Sequence, residues 1–308
     1  MRGVARPQNV VTLAELLPVA QRAGYAVGSF SPRYPRMILP VLRAAQALRS
    51  PAIVQISQKD MSRCGVGVEE FAEAFYETLA SERVSVPMTL HLDHTHDLDI
   101  IRRAIDASFS SVMIDASDLP LDENIALTSG VVELGHVNGV SVEGEIGTLG
   151  AYAFSETDET FTSTYTDPEE AGRFARETEV DALAISIGTM HGVRNGSPVY
   201  LDLERLAEIR KRTNVPLVLH GGSGVPASAM AAAIAVPGGG ISKVNLATDL
   251  ELAMLAAIGS ERRMTDADVR VLSEDDLEAA RAAVELVTRE KMTSFLLSAG
   301  RAESVGGA

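Results

Sequence analysis

Residues 52–94 read AIVQISQKDMSRCGVGVEEFAEAFYETLASERVSVPMTLHLDH, and the order of patterns inside this stretch decides the fold. Ala52–Ser57 (AIVQIS) and Met88–His94 (MTLHLDH) are short runs, apolar on both faces, that read as strands. Glu69–Arg83 between them repeats its apolar residues at helical spacing. Strands buried on both faces and separated by helices point to a parallel sheet covered by helices.

The same alternation continues in both directions. Tyr25–Phe30 precedes the stretch, and Ser111–Ser117, Val140–Gly147, Ala182–Gly188, Pro216–Ser223 and Ile241–Thr248 follow it as further strands. Met37–Arg49, Asp99–Ala107, Glu169–Glu177 and Leu203–Arg212 read as helices. Eight strand–helix units predict an α/β fold of the closed kind, a (β/α)8 TIM barrel, as one domain over 1–308. The Pro237–Gly240 cluster (PGGG) fits a helix stop before the last strand. Two segments break the rhythm: a long loop over Thr148–Asp167, and an additional C-terminal helical segment over Leu277–Ser298.

Composition narrows the function. The 308 residues are 46% hydrophobic and carry a formal net charge of -15, so the basic footprint of a nucleic-acid binder is missing. No apolar run reaches the length of a membrane span, and the N-terminus lacks a signal pattern. A single cysteine, Cys64, fits a reducing compartment. These features predict a cytoplasmic protein without nucleic-acid or membrane partners.

The chain has six histidines: His91, His94, His96, His136, His191 and His220. His94, His191 and His220 fall at the C-terminal ends of strands three, six and seven, which open on one mouth of a barrel. Three imidazoles with one open position are a catalytic zinc set. Unrelated polar residues at loop starts would explain one such histidine, but less readily three at matched strand ends. Asp93 beside His94 reads as a proton carrier or as an orienter of a ligand histidine. Gly221, Gly222 and Ser223 follow His220, and Asn245, Leu246, Ala247 and Thr248 close the eighth strand; loops at these places commonly bind phosphate. Lys243 on that strand is a rival Schiff-base nucleophile, which would leave the histidines unexplained.

HLDH (His91–His94), VMIDAS (Val112–Ser117), VEGEIG (Val142–Gly147), IGTMHG (Ile187–Gly192), LVLHGGSG (Leu217–Gly224) and KVNLAT (Lys243–Thr248) occur in this order. Together they resemble the class II fructose-bisphosphate and tagatose-bisphosphate aldolases, over about Val11 to Ile258. The resemblance implies a zinc-dependent lyase that cleaves a ketose 1-phosphate or bisphosphate reversibly to dihydroxyacetone phosphate and an aldehyde. It implies zinc on His94, His191 and His220, Asp93 as catalytic acid, and a triose-phosphate site at Gly192, Gly221–Ser223 and Asn245–Thr248. It further implies a second metal or monovalent-cation position at Asp115 and Glu145, and a homo-oligomer, dimer or tetramer.

The chain departs from that family in three places. Gly150–Ala153 (GAYA) stands where the family has glycines followed by acids, leaving Glu156, Asp158 or Glu159 as replacements. Ser31 replaces a usual Asn, and Asn195, next to Arg194, replaces a usual basic residue. Ser31, Arg33, Lys59 and Arg194, together with Arg63, are therefore candidates for an altered aldehyde side, with an unusual anion at the far end of the substrate. A catalytically silent sugar-phosphate binder and a zinc epimerase using the same enediolate are the competing readings.

Overall fold

The computed structural model describes residues 6–148, 165–189 and 199–305. Eight parallel strands close into a barrel in sequence order: β1 (Val27–Phe30), β2 (Ala52–Ser57), β3 (Met88–Thr95), β4 (Ser111–Ile114), β5 (Ser141–Ile146), β6 (Ala182–Ile185), β7 (Leu217–Leu219) and β8 (Ile241–Leu246). β8 pairs with β1, Val27 facing Lys243 and Phe30 facing Leu246, so the sheet has no edge. The predicted barrel is observed.

The helices are α1 (Leu13–Ala23), α2 (Ile38–Leu48), α3 (Gln58–Cys64), α4 (Val68–Ser81), α5 (Leu98–Asp106), α6 (Leu121–Val137), α7 (Pro168–Thr178), α8 (Leu203–Arg212), α9 (Ala227–Ile234), α10 (Thr248–Ala257), α11 (Asp266–Arg270) and α12 (Glu274–Glu290). α1 precedes the first strand and starts on a capping box: Thr12 Oγ1 accepts from Glu15 N, and Glu15 Oε2 accepts from Thr12 N at 2.7 Å. Its Leu13, Leu16, Leu17 and Ala20 pack with Val27, Ile53, Ala184 and Val218 in one apolar cluster, which seals the barrel floor. The larger core lies between the strands and the outer helices.

The C-terminal helical segment is present as α12, followed by a π-helical turn over Lys291–Phe295. It packs on α2 and α10, and Lys291 Nζ lies 2.7 Å from Asp249 Oδ2 in the first turn of α10. Several strands are shorter than the sequence pattern, notably β4, β6 and β7. Past their last paired residues the chain turns into the mouth, with Gly188, Gly221 and Gly224 at positive φ, so the apolar run outlasts the ladder.

Candidate active site

Strand periodicity fills the upper half of the barrel with polar groups. Side chains two apart share a face, so His91 and Asp93 on β3, Glu143 and Glu145 on β5, and Lys243 and Asn245 on β8 form inward pairs. All six are buried. Below them the interior is apolar, and above them lies a cavity of about 700 Å³.

His94 breaks the alternation. Its φ is 34°, and the β3–β4 register shifts between Leu92 and Thr95. This local irregularity brings His94 to the same mouth as Asp93, its neighbour, and both line the cavity. The His94 and His220 rings meet at 4.4 Å between centroids. Glu145 Oε2 reaches between them, 3.6 Å from His94 Nδ1 and 3.4 Å from His220 Nδ1. Asp115 Oδ2 is 2.8 Å from His94 Nδ1.

Donor atoms of Asp93, His94 and His220 lie within 4.8 Å of one another, as do those of His94, Asp115 and Glu145. Imidazole nitrogens with carboxylate oxygens suit a borderline divalent ion such as zinc. His191 lies outside the described residues, and so do Gly192, Arg194 and the 150s acids.

Asp93 is held on both oxygens. Gln55 Nε2 donates to Oδ2 at 3.0 Å and Asn245 Nδ2 to Oδ1 at 2.9 Å, while Ser29 Oγ donates to Gln55 Oε1. Burial alone would raise the Asp93 carboxyl, but His94 and Lys243 beside it outweigh this and hold it below the usual range. Burial pulls the His94 ring down, yet Asp93, Asp115 and Glu145 prevail and push it up to about 10. His91, lowered to about 3 by burial and by Lys243, is neutral, with Nδ1 2.9 Å from Ser111 Oγ.

Beneath the histidines lies an ion pair that sequence reasoning missed. Glu143 lies 2.8 and 3.1 Å from Lys243 Nζ and 2.9 Å from His220 Nε2, and all three side chains are fully buried. Lys243 is not among the residues lining the cavity. The signal was the repeated polar residue at alternate positions of VEGE and KVN.

The candidate phosphate residues gather at one side. Gly221, Ser223, Asn245, Ala247 and Thr248 line the cavity, whereas Gly222 and Leu246 stand behind its wall. A Cβ on Gly222 would meet the Asn245 carbonyl at 3.0 Å and run into Val244 Cγ1, so only glycine fits there. Ala247 at the start of α10 has no capping side chain, and Ser223 Oγ accepts from Asp249 N in its first turn at 3.2 Å. The start of a helix is suited to an anion. Ser31, Arg33, Lys59 and Arg63 line the cavity too, and Ser31 N donates to the Leu246 carbonyl at 2.9 Å.

The family described as fructose-bisphosphate aldolase class-II matches residues 11–301. The chain belongs to the class II fructose-bisphosphate aldolase family. Class II aldolases are lyases, and this chain is an enzyme of that kind. It is 36% identical over 273 residues to a fructose-bisphosphate aldolase of Giardia intestinalis, covering 80% of this chain and 81% of that protein. It is likewise 36% identical over 251 residues to a probable fructose-bisphosphate aldolase of Bacillus subtilis, covering 81% of this chain and 85% of the other. Among solved structures, the YdjI aldolase of Escherichia coli K12 superposes with a TM-score of 0.80 at 29% identity, covering 95% of this chain and 99% of that one. A putative fructose-1,6-biphosphate aldolase of Coccidioides immitis gives 0.79 at 26% identity, covering 93% and 96%. Among the described residues no helix is long and apolar enough to cross a membrane.

Proposed function

We propose that this aldolase is zinc-dependent and cleaves a ketose 1-phosphate to dihydroxyacetone phosphate and an aldehyde, working as one barrel domain over 1–308. The observation that carries the reading is the convergence of His94 and His220 with Asp93, Asp115 and Glu145, of which Asp93, His94 and Asp115 line one cavity. His94, His220 and His191 would hold the ion, with Asp115 and Glu145 available to a second cation. The ion, when bound, supplies Lewis-acid stabilisation of the negative charge that cleavage puts on the ketone oxygen.

The remaining work falls to the protein. Asp93 is ionised at neutral pH and fixed by Gln55 and Asn245, so it takes the proton of the C4 hydroxyl. The C4–O bond becomes a carbonyl, the C3–C4 bond breaks, and its electron pair stays with the three-carbon half as an enediolate. Protonation at C3 completes dihydroxyacetone phosphate; the candidate acids for that step are Glu156, Asp158 and Glu159. The phosphate is held by backbone groups at Gly221 and Ala247, by the Ser223 and Thr248 hydroxyls, and by Gly192, which fixes C3 and C4 against the base. Glu143 accepts from His220 Nε2 and so turns Nδ1 toward the mouth.

Lys243 does not fit the role of a Schiff-base nucleophile, because its ammonium is fully buried and paired with Glu143. A coupled assay for dihydroxyacetone phosphate over a panel of ketose phosphates, with His220→Ala as control, tests the proposal. Release from one or more substrates that disappears in the variant supports it, and inactivity on the whole panel refutes it. A cytoplasmic location and a homo-oligomeric state, dimer or tetramer, belong to the same proposal, and sedimentation measures the latter.

A further inference from the structure

Above β8, β1 and β2 the cavity wall carries charges for which carbon–carbon cleavage has no use. Arg33 follows β1 with φ 65°, Asp60 and Arg63 stand on α3, Glu251 on α10, and Arg263 just beyond it. Arg33 Nε is 3.1 Å from Asp60 Oδ1, and its Nη1 meets Glu251. Its side chain is only 7% exposed, so its guanidinium is engaged by protein carboxylates from two sides.

The other two arginines differ. Arg63 Nη2 is 2.7 Å from Asp60 Oδ1, and Arg263 Nε is 3.2 Å from Glu251 Oε2. Their side chains are 27% and 33% exposed, and both line the cavity. Arg63 Nε is buried without a hydrogen-bond partner among the described residues. Three guanidiniums against two carboxylates leave the cluster with a single unit of positive charge. Lys59, exposed at the rim, is screened by solvent.

We propose that Arg63 and Arg263 form a subsite for a monoanionic oxyanion, a carboxylate or a sulfonate, at the end of the ketose 1-phosphate remote from C1. Arg33 is the scaffold that holds Asp60 and Glu251 in place. The inference rests on the aldolase reading above. The planar fork of arginine matches two oxygens of such a group. A terminal phosphoryl dianion would leave one negative charge unmatched in a partly desolvated wall. The phosphate at C1 has its own place at the loops after β7 and β8, where Ala247 and Thr248 open α10 one turn before Glu251.

The test uses the zinc-loaded enzyme and four ketose 1-phosphates of equal length, ending in hydroxymethyl, carboxylate, sulfonate or phosphate. We expect kcat/KM for the carboxylate or the sulfonate to exceed both the uncharged and the phosphate substrate by about tenfold or more, as for a charge-assisted hydrogen bond made or lost. Arg63→Met and Arg263→Met cut the ratio of anionic to uncharged substrate by about tenfold, and Arg263→Lys recovers part of it. Glu251→Gln raises the net charge of the cluster to two and shifts preference toward phosphate; melting curves show that each variant is folded. Equal turnover of all four, a preference for phosphate in the unaltered enzyme, or a uniform loss across all four in the arginine variants overturns the subsite while leaving the aldolase reading intact. Failure to cleave any of the four overturns both.

Discussion

Replacing Lys243 by methionine tests the buried ion pair under the histidines. The ammonium and the Glu143 carboxylate are both fully buried and 2.8 Å apart. At an effective dielectric of roughly 20, unit charges at that distance attract by about 6 kcal/mol. Methionine fills most of the volume and relieves the desolvation of the ammonium, but it leaves the carboxylate without its counter-charge. The expected loss of unfolding free energy is therefore about 3–5 kcal/mol, the range for removing one member of a buried pair. Its pH dependence has a definite sign. Burial would raise Glu143, but Lys243 and His220 hold it well below the usual carboxylate range. A depressed group contributes stability that is present above its unfolded value and lost as pH falls through its folded one. Without Lys243, burial dominates and Glu143 takes up a proton, so the deficit of the variant shrinks between pH 8 and pH 5. Urea unfolding of the metal-free protein, followed by circular dichroism at both pH values, measures this. The double variant with Glu143→Gln recovers at least about 1 kcal/mol, since it removes the stranded charge. A loss below about 1 kcal/mol in Lys243→Met, equal at both pH values, would refute the reasoning.

Chelation of divalent ions abolishes turnover, and zinc restores it, as measured by dihydroxyacetone phosphate release. Asp93→Asn lowers kcat by about 10²–10⁴ while zinc content stays near that of the unaltered enzyme, read by kinetics and metal analysis together. Gly222→Ala pushes a methyl group into Val244 and the Asn245 carbonyl, displacing the loop behind Gly221 and Ser223. It raises KM for the ketose 1-phosphate by about tenfold, with a smaller effect on kcat.

The barrel was legible because parallel strands buried on both faces are continuous apolar runs, as in Ala52–Ser57, whose predicted and observed limits coincide. Strand ends were less so: Pro216–Ser223 reads as one run, yet only Leu217–Leu219 is paired before Gly221 turns the chain into the mouth. The convergence of His94, His220 and Asp93 followed from strand polarity. Their supports did not, because Gln55, Asn245, Glu143 and Lys243 come from strands far apart in sequence that barrel closure brings together. Glu251 and Arg263 escaped for a different reason: they lie on a helix and a connection, where charge usually means a solvated surface. The GTMHG segment and the 150s loop, with His191 and the acids proposed for C3, lie outside the described residues.

The left-handed backbone at residue 94 has a bearing on how the site is dissected by substitution. A histidine at φ 34° occupies a region that alanine enters reluctantly but that asparagine and glycine tolerate. An alanine there removes an imidazole and also favours an ordinary extended strand, which would swing Asp93 and Thr95 out of register. His94→Asn separates the two effects, keeping the bend while deleting the ring.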